Sequence, residues 1–215
     1  MNNIKNLPTY SIGEEIFNAI THGIGSILAI AFTVILIVKF FGLNFMVDAS
    51  IIYGNCLFIM FLASTLYHSI TNKKAKSVLR FFDHAAIFLA IGGTYTPILM
   101  ATFKGRIRII LMIAIWFMCF LGIILKIIQF NISTKKIIPI ITYVMYIVIG
   151  WISIFMVKEI VSKLGISVFI WILSGGILYS LGFVFYAIKK PYFHSIWHIF
   201  ILLAALCQFI GILII

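Results

Sequence analysis

The chain predicts an all-α membrane protein, a single domain over residues 1–215 built as a seven-transmembrane helix bundle with its N-terminus inside and its C-terminus outside. Three observations carry this. Of 215 residues, 64% are hydrophobic and 10% charged, whereas an ordinary soluble domain has about a quarter of its residues charged. The apolar residues fall into seven runs, at about 17–38, 49–70, 83–103, 107–128, 137–157, 166–187 and 194–214. Each is near the ~20 residues a helix needs to cross a bilayer, and none shows the period-two alternation of a membrane barrel. Finally, ten basic residues lie in the N-terminal tail and the second, fourth and sixth connections, against six on the opposite side. That asymmetry sets the orientation, because positive loops stay inside; Lys104, Arg106 and Arg108 in the third connection run against it.

The elements follow in order. Ser11-x-x-Glu14 is a capping-box pattern that starts the first helix at the inner interface. The tail before it is polar and no small-residue cleavage site follows, so the first run is expected to stay as a span. The second span ends on Ser64 and His68, and the third opens on Asp83-His84. Pro97 should kink the third span near its end, with neighbouring helices satisfying the freed carbonyl. Gly92-Gly93 and Gly175-Gly176 should allow close helix approach. The fourth, fifth and sixth spans carry no acidic residue or histidine in their apolar cores. The seventh follows Lys189-Lys190-Pro191 and opens on His194 and His198. Cys56, Cys119 and Cys207 stand singly in apolar segments and set no disulfide framework. With no connection long enough for a soluble domain, the net charge of +11 matches anionic lipid headgroups and not nucleic acid.

Alternating span directions bring all five histidines and Asp83 to the inner side of the membrane. Ionisable groups in spans are costly and are by default functional. Four-residue spacing puts His194 and His198 on one helical face, and with His68 they form a candidate zinc site. His22 could be a further ligand or part of an inter-helix hydrogen-bond network. Asp83 and His84 are about 100° apart around the helix, so Asp83 is assigned to the site and His84 to a supporting or headgroup-facing position. Ser64, one turn before His68, either bonds its own helix backbone or lines the site.

Ser64-x-x-x-His68, Asp83 and His194-x-x-x-His198 together resemble the signature of the progestin and adipoQ receptor family, which is related to the alkaline ceramidases. Glu15-x-x-Asn18-x-x-x-His22-Gly23, and Asp83-His84-Ala85-Ala86-Ile87-Phe88 running on to Gly93-Thr94-Tyr95-Thr96-Pro97, are similar to its bacterial branch, haemolysin III. The resemblance spans most of the chain. It implies a cytoplasmic N-terminus in a bacterial plasma membrane, and zinc near the inner leaflet on His68, His194 and His198. It also implies that Asp83 reaches the metal through a water, with Ser64 close by. The animal receptors' large N-terminal domain is absent, so binding of a protein hormone is not carried over.

Three neutral imidazoles and an open fourth position suit a catalytic zinc. Asp83 would act as general base and Ser64 as donor to a developing oxyanion. The bilayer is the immediate partner, and a site at membrane depth meets lipids first. The expected reaction is hydrolysis of an amide or ester bond in a ceramide-like lipid. If Asp83 ligates directly, all four positions fill and the metal is a staple, which suits a metal-stabilised membrane sensor without turnover. A pore-forming haemolysin ranks third, since a pore needs polar groups along the whole crossing. Substrate identity and oligomeric state do not follow from the residues.

Overall fold

Ser11 and Glu14 close the expected capping box, and α1 runs from there over Ile12–Lys39. In the computed structural model, which describes residues 7–132 and 137–215, the chain continues through α2 (Asn44–Ser69), α3 (Lys73–Thr102), α4 (Gly105–Ile132), α5 (Ile137–Trp151), α6 (Val157–Leu164), α7 (Ile166–Ala187) and α8 (Phe193–Leu213). A 3-10 segment, Ile152–Met156, links α5 to α6. The described regular structure is all helical. Seven helices, with α5 through α6 taken as one, are long and apolar enough to cross a membrane. Lys5, Lys135 and Lys136, which enter the charge asymmetry, lie outside the described residues.

Two boundaries depart from the apolar pattern. Asn72 caps α3, its side-chain oxygen accepting from the backbone N–H groups of Lys74 and Ala75 at 3.0 and 3.2 Å. Helix therefore begins at Lys73, and Asp83 sits about three turns inside α3, not at its head. The expected loop from Thr71 to Phe82 shrinks to Ile70–Asn72. An apolar count misses this turn of lysines and Arg80 because a cap starts a helix regardless of polarity. Pro97 does not end α3, which continues to Thr102.

The fifth span is longer than the expected 137–157 and is broken. The Tyr95 hydroxyl, from α3, donates towards the carbonyls of Ile149 and Gly150 at 2.9 and 3.2 Å and accepts from the Ser153 N–H at 2.9 Å. A phenol inserted there takes over bonds the helix ladder would make, and the chain tightens to 3-10 before resuming as α6.

Neighbouring helices close a ring, α1–α2–α3–α4–α5–α7–α8 and back to α1, while α3 leans inward to touch α5, α6 and α8 as well. Its central stretch is 67% buried against 17% for that of α4, so α3 is the hub and α4 faces lipid. Phe32 and Phe209 stack at 3.9 Å to join α1 to α8. Three of the four paired glycines serve close packing as expected. A Cβ on Gly93 would fall 2.6 Å from the Cys56 Cβ, one on Gly175 would fall 2.6 Å from the Gln208 amide, and one on Gly92 would meet Trp116 and Cys119. A Cβ on Gly176 would meet nothing within 4 Å among the described residues, so it is not a packing glycine there.

Candidate metal centre

The last turn of α2 carries His68, and the first turns of α8 carry His194 and His198. The start of α8 is held by α1. Tyr192 adopts a left-handed conformation, φ 63°, which few non-glycine residues take, and its N–H donates to Glu14 Oε1 at 2.7 Å. Glu14, whose other oxygen closes the α1 capping box, thus ties the two helix starts together. The result is a meeting of three ring nitrogens. His194 Nε2 lies 3.3 Å from His68 Nε2 and 3.2 Å from His198 Nε2. Among the described residues these three histidines form the group whose ligand atoms all lie within 4.8 Å of one another.

Their neighbours aim them. Glu15 Oε2 sits 2.6 Å from His68 Nδ1, so Nδ1 carries the proton and Nε2 turns a lone pair to the centre. The other Glu15 oxygen pairs with Lys76 Nζ at 2.8 Å. Lys76 in turn donates to the carbonyls of Tyr67 and Ile70 at 3.0 and 3.2 Å, at the end of α2. Thr21 Oγ1, which donates back to its own helix, lies 3.5 Å from His198 Nδ1 and orients that ring. Tyr10 stacks on His194 with ring centroids 4.8 Å apart. Burial pushes the Tyr10 phenol up, outweighing the Arg80 guanidinium, so it covers the ring as a neutral group. At the same end, burial and then Arg80 hold the Lys189 ammonium below the usual lysine range.

This donor set fits a metal ion. In a tetrahedron with imidazole bonds of ~2.0–2.1 Å, the nitrogens stand about 3.3 Å apart along each edge. The two short nitrogen separations match that edge, so the three ring nitrogens could hold a metal ion between them. His68 is 3% exposed and His198 0%.

The other predicted residues are distributed around this point. Asp83, buried on α3, faces His68 electrostatically but does not join the close ligand group. Ser64 turns its hydroxyl towards Asp83 and has no other hydrogen-bond partner among the described residues, so the backbone-bonded alternative for Ser64 does not form among them. His22 stacks flat on His198 at 3.6 Å, outside the ligand group, and among the described residues neither of its ring nitrogens has a side-chain hydrogen-bond partner. His84 turns from the headgroups into the bundle: Nδ1 donates to the Arg80 carbonyl at 2.8 Å, and Nε2 lies 3.1 Å from the Tyr186 hydroxyl. Sequence reasoning missed Glu15, Lys76 and Tyr10 as supports of the centre. Glu15, near His22 on the same helix, was visible, but its direction towards α2 was not.

Beyond the centre a cavity of about 170 Å³ opens between α3, α5, α7 and α8. Asp83 and His22 stand at one end, and the walls are mainly aliphatic and aromatic, Ile87, Ile91 and Ile201 among them. It reaches Gln208, ten residues beyond His198 on α8 and so about 15 Å along the helix.

Seven spanning helices with three histidine nitrogens gathered at one end of the bundle define a multi-pass membrane protein with a potential metal centre. The chain belongs to the family described as "Haemolysin-III related", whose profile matches residues 10–209. It is similar to a protein of Bacillus subtilis (strain 168) named "Hemolysin-3 homolog", with 41% identity over 95% of both chains. It is also similar to "Hemolysin-3" of Bacillus cereus, with 40% identity over 95% of this chain and 93% of the relative.

Proposed function

We propose that this protein is a zinc-dependent hydrolase of a ceramide-like lipid, acting on an amide or ester bond at the inner leaflet of a bacterial cytoplasmic membrane. The observation that carries the reading is the cavity's lining: Asp83 and His22 both line the mainly apolar cavity, and His22 stacks on His198, one of the three converging imidazoles. Zinc is favoured over harder ions by an all-imidazole donor set. His68, His194 and His198 would hold the zinc ion, which would supply Lewis acidity towards a lipid carbonyl. The cavity walls take the acyl chain and exclude water from all but the mouth. Asp83 accepts a proton from the attacking water, and the Ser64 hydroxyl, turned towards Asp83, donates to the carbonyl oxygen as charge develops there. The products are a fatty acid and the amine or alcohol left behind.

The test is to measure zinc content and released fatty acid side by side for the parent and Asp83→Asn, using several lipid amides and esters in vesicles. The variant should keep its metal and lose about 10²–10⁴-fold in rate, the usual cost of removing a general base. A zinc-loaded parent that releases no fatty acid from any of them rejects the reaction.

One observation favours a second reading, a metal-stabilised sensor without turnover. The Lys76–Glu15–His68 chain ties α1, α2 and α3 together at the centre, as a staple would. The relatives' name suggests cytolysis, but the mainly apolar cavity gives a permeant ion no polar path.

A further inference from the structure

Lys126, in the last turns of α4, is only 4% exposed, while Lys73, Lys74 and Lys190 at the same end of the bundle are exposed. A lysine near a membrane surface ordinarily snorkels to keep its ammonium in water; this one is turned inward. Its Nζ lies over the Tyr143 ring, 4.9 Å from the centroid, and donates to Gln129 Oε1 at 3.3 Å. The Tyr143 hydroxyl is 3.0 Å from that of Tyr186, and Lys189 Nζ lies over the Tyr186 ring at 4.6 Å. Two ammonium groups, one from α4 and one from the chain after α7, cover the faces of two tyrosines joined through their hydroxyls. Arg80 of α3 is an electrostatic neighbour of both lysines and of Tyr186. The chain has five carboxylates, and the ion pairs among the described residues are His68–Glu15, Lys76–Glu15 and His84–Asp83. None of these pairs involves Lys126 or Lys189. Asp83 is the one carboxylate within electrostatic reach of Lys126, and it faces Arg80 as well. One negative charge thus stands against three positive ones. Ring faces offset part of the cost of a buried ammonium, but a counter-charge is what such a group lacks. Arg80, Tyr143 and Tyr186 are half-buried and Lys189 is exposed, so the cluster opens at the inner end of the bundle.

We propose that Arg80, Lys126 and Lys189 bind the phosphate of a lipid headgroup, so that the lipid taken by this protein is a phosphorylated amide or ester and not an uncharged one. The proposal rests on the reading of the neighbouring centre as a lipid hydrolase and names its substrate class. Phosphate suits the cluster because it brings negative charge and several acceptor oxygens to a guanidinium and two ammonium groups. Its place suits the reaction. Asp83 follows Arg80 by three residues, about 4.5 Å along α3 by the helical rise, and lines the apolar cavity. A lipid with its phosphate on the three cations therefore has its amide or ester bond near Asp83 and its acyl chain among the aliphatic walls beyond. Lys126 and Lys189 are specificity-determining residues in this arrangement: they select the headgroup and take no part in the proton transfer.

The experiment uses the full chain, zinc-loaded, in micelles of an uncharged maltoside detergent that brings no phosphate of its own. It measures binding of ceramide, of ceramide 1-phosphate and of inorganic phosphate. Ceramide 1-phosphate should bind about ten- to a hundredfold more tightly than ceramide, the range of one hydrogen bond to a charged group. Lys126→Met and Lys189→Met should each lose most of that preference, with melting temperatures recorded to confirm that they fold. Lys189 is exposed, so its variant decides the matter if Lys126→Met does not fold. Replacing the exposed Lys73 and Lys74 together by Gln should keep the preference, which separates a built site from the general pull of a chain of net charge +11. Equal affinity for the two lipids overturns the proposal, as does a preference that survives in Lys189→Met or disappears equally in the Lys73 and Lys74 variant. Inorganic phosphate bound by the parent and lost in Lys189→Met, with no preference between the lipids, makes the cluster a site for free phosphate and overturns the headgroup assignment. Because binding and not cleavage is read, ceramide 1-phosphate held tightly but never hydrolysed rejects the reaction and leaves this site standing. A hydrolase indifferent to the phosphate loses only this proposal.

Discussion

At the scale of single residues, the centre depends on which atom each neighbour presents. Glu15 holds His68 by its Nδ1 proton at 2.6 Å, and losing such a partner typically costs ~10–100-fold in metal affinity. Glu15→Gln should therefore weaken zinc binding by about that factor in chelator competition, with the fold otherwise retained. His194→Ala combined with His198→Ala should abolish bound zinc by elemental analysis, because two of three ligands go. His84→Ala should keep its zinc, since both His84 nitrogens are spent on Arg80 and Tyr186. Full zinc occupancy in the double variant would remove the three-histidine site from consideration.

At the scale of elements, the helices that carry the site are positioned by small residues and by one phenol. Gly93 lets α3, with Asp83, close on α2, with Ser64 and His68. Gly93→Leu should lower the melting temperature and the zinc content together, because overpacking typically costs ~1–3 kcal/mol and here pushes the site's own helices apart. Tyr95→Phe leaves the Ser153 N–H without its acceptor and the Ile149 carbonyl without its donor. An unpaired buried group costs about 1–3 kcal/mol, so thermal unfolding should shift downward while zinc content stays unchanged.

For the whole molecule, orientation and metal linkage are the measurable properties. The basic asymmetry and seven spans predict that a tag before Met1 reports the inside and a tag after Ile215 the outside; both tags on one side of the membrane would mean a miscounted span. Metal bound only by the folded state stabilises it by mass action, about 2.7 kcal/mol when free metal is 100 times its dissociation constant. Chelation should accordingly lower the melting temperature of the parent, and re-added zinc should restore it. The double histidine variant should melt at the same temperature with and without chelator.

What the sequence determined by itself was everything that depends on composition and spacing along one helix. Seven spans follow from the apolar runs, the α1 start from Ser11 and Glu14, and the pairing of His194 with His198 from four-residue spacing. The gathering of His68 and Asp83 at the same end follows from alternating span direction. Tertiary structure decided what depends on how each helix is rotated about its axis and on what faces it. It turned Glu15 to His68 and Glu14 to Tyr192, adjacent acids with different partners. It stacked His22 on His198 outside the ligand group and turned His84 into the bundle. It also broke the fifth span with a phenol from the third and opened the cavity that Asp83 lines. A spacing of residues states which side chains share a face, but in a bundle of uniformly apolar helices it does not state which face meets which neighbour. That is settled by packing, through glycines and single hydrogen bonds far apart in the chain.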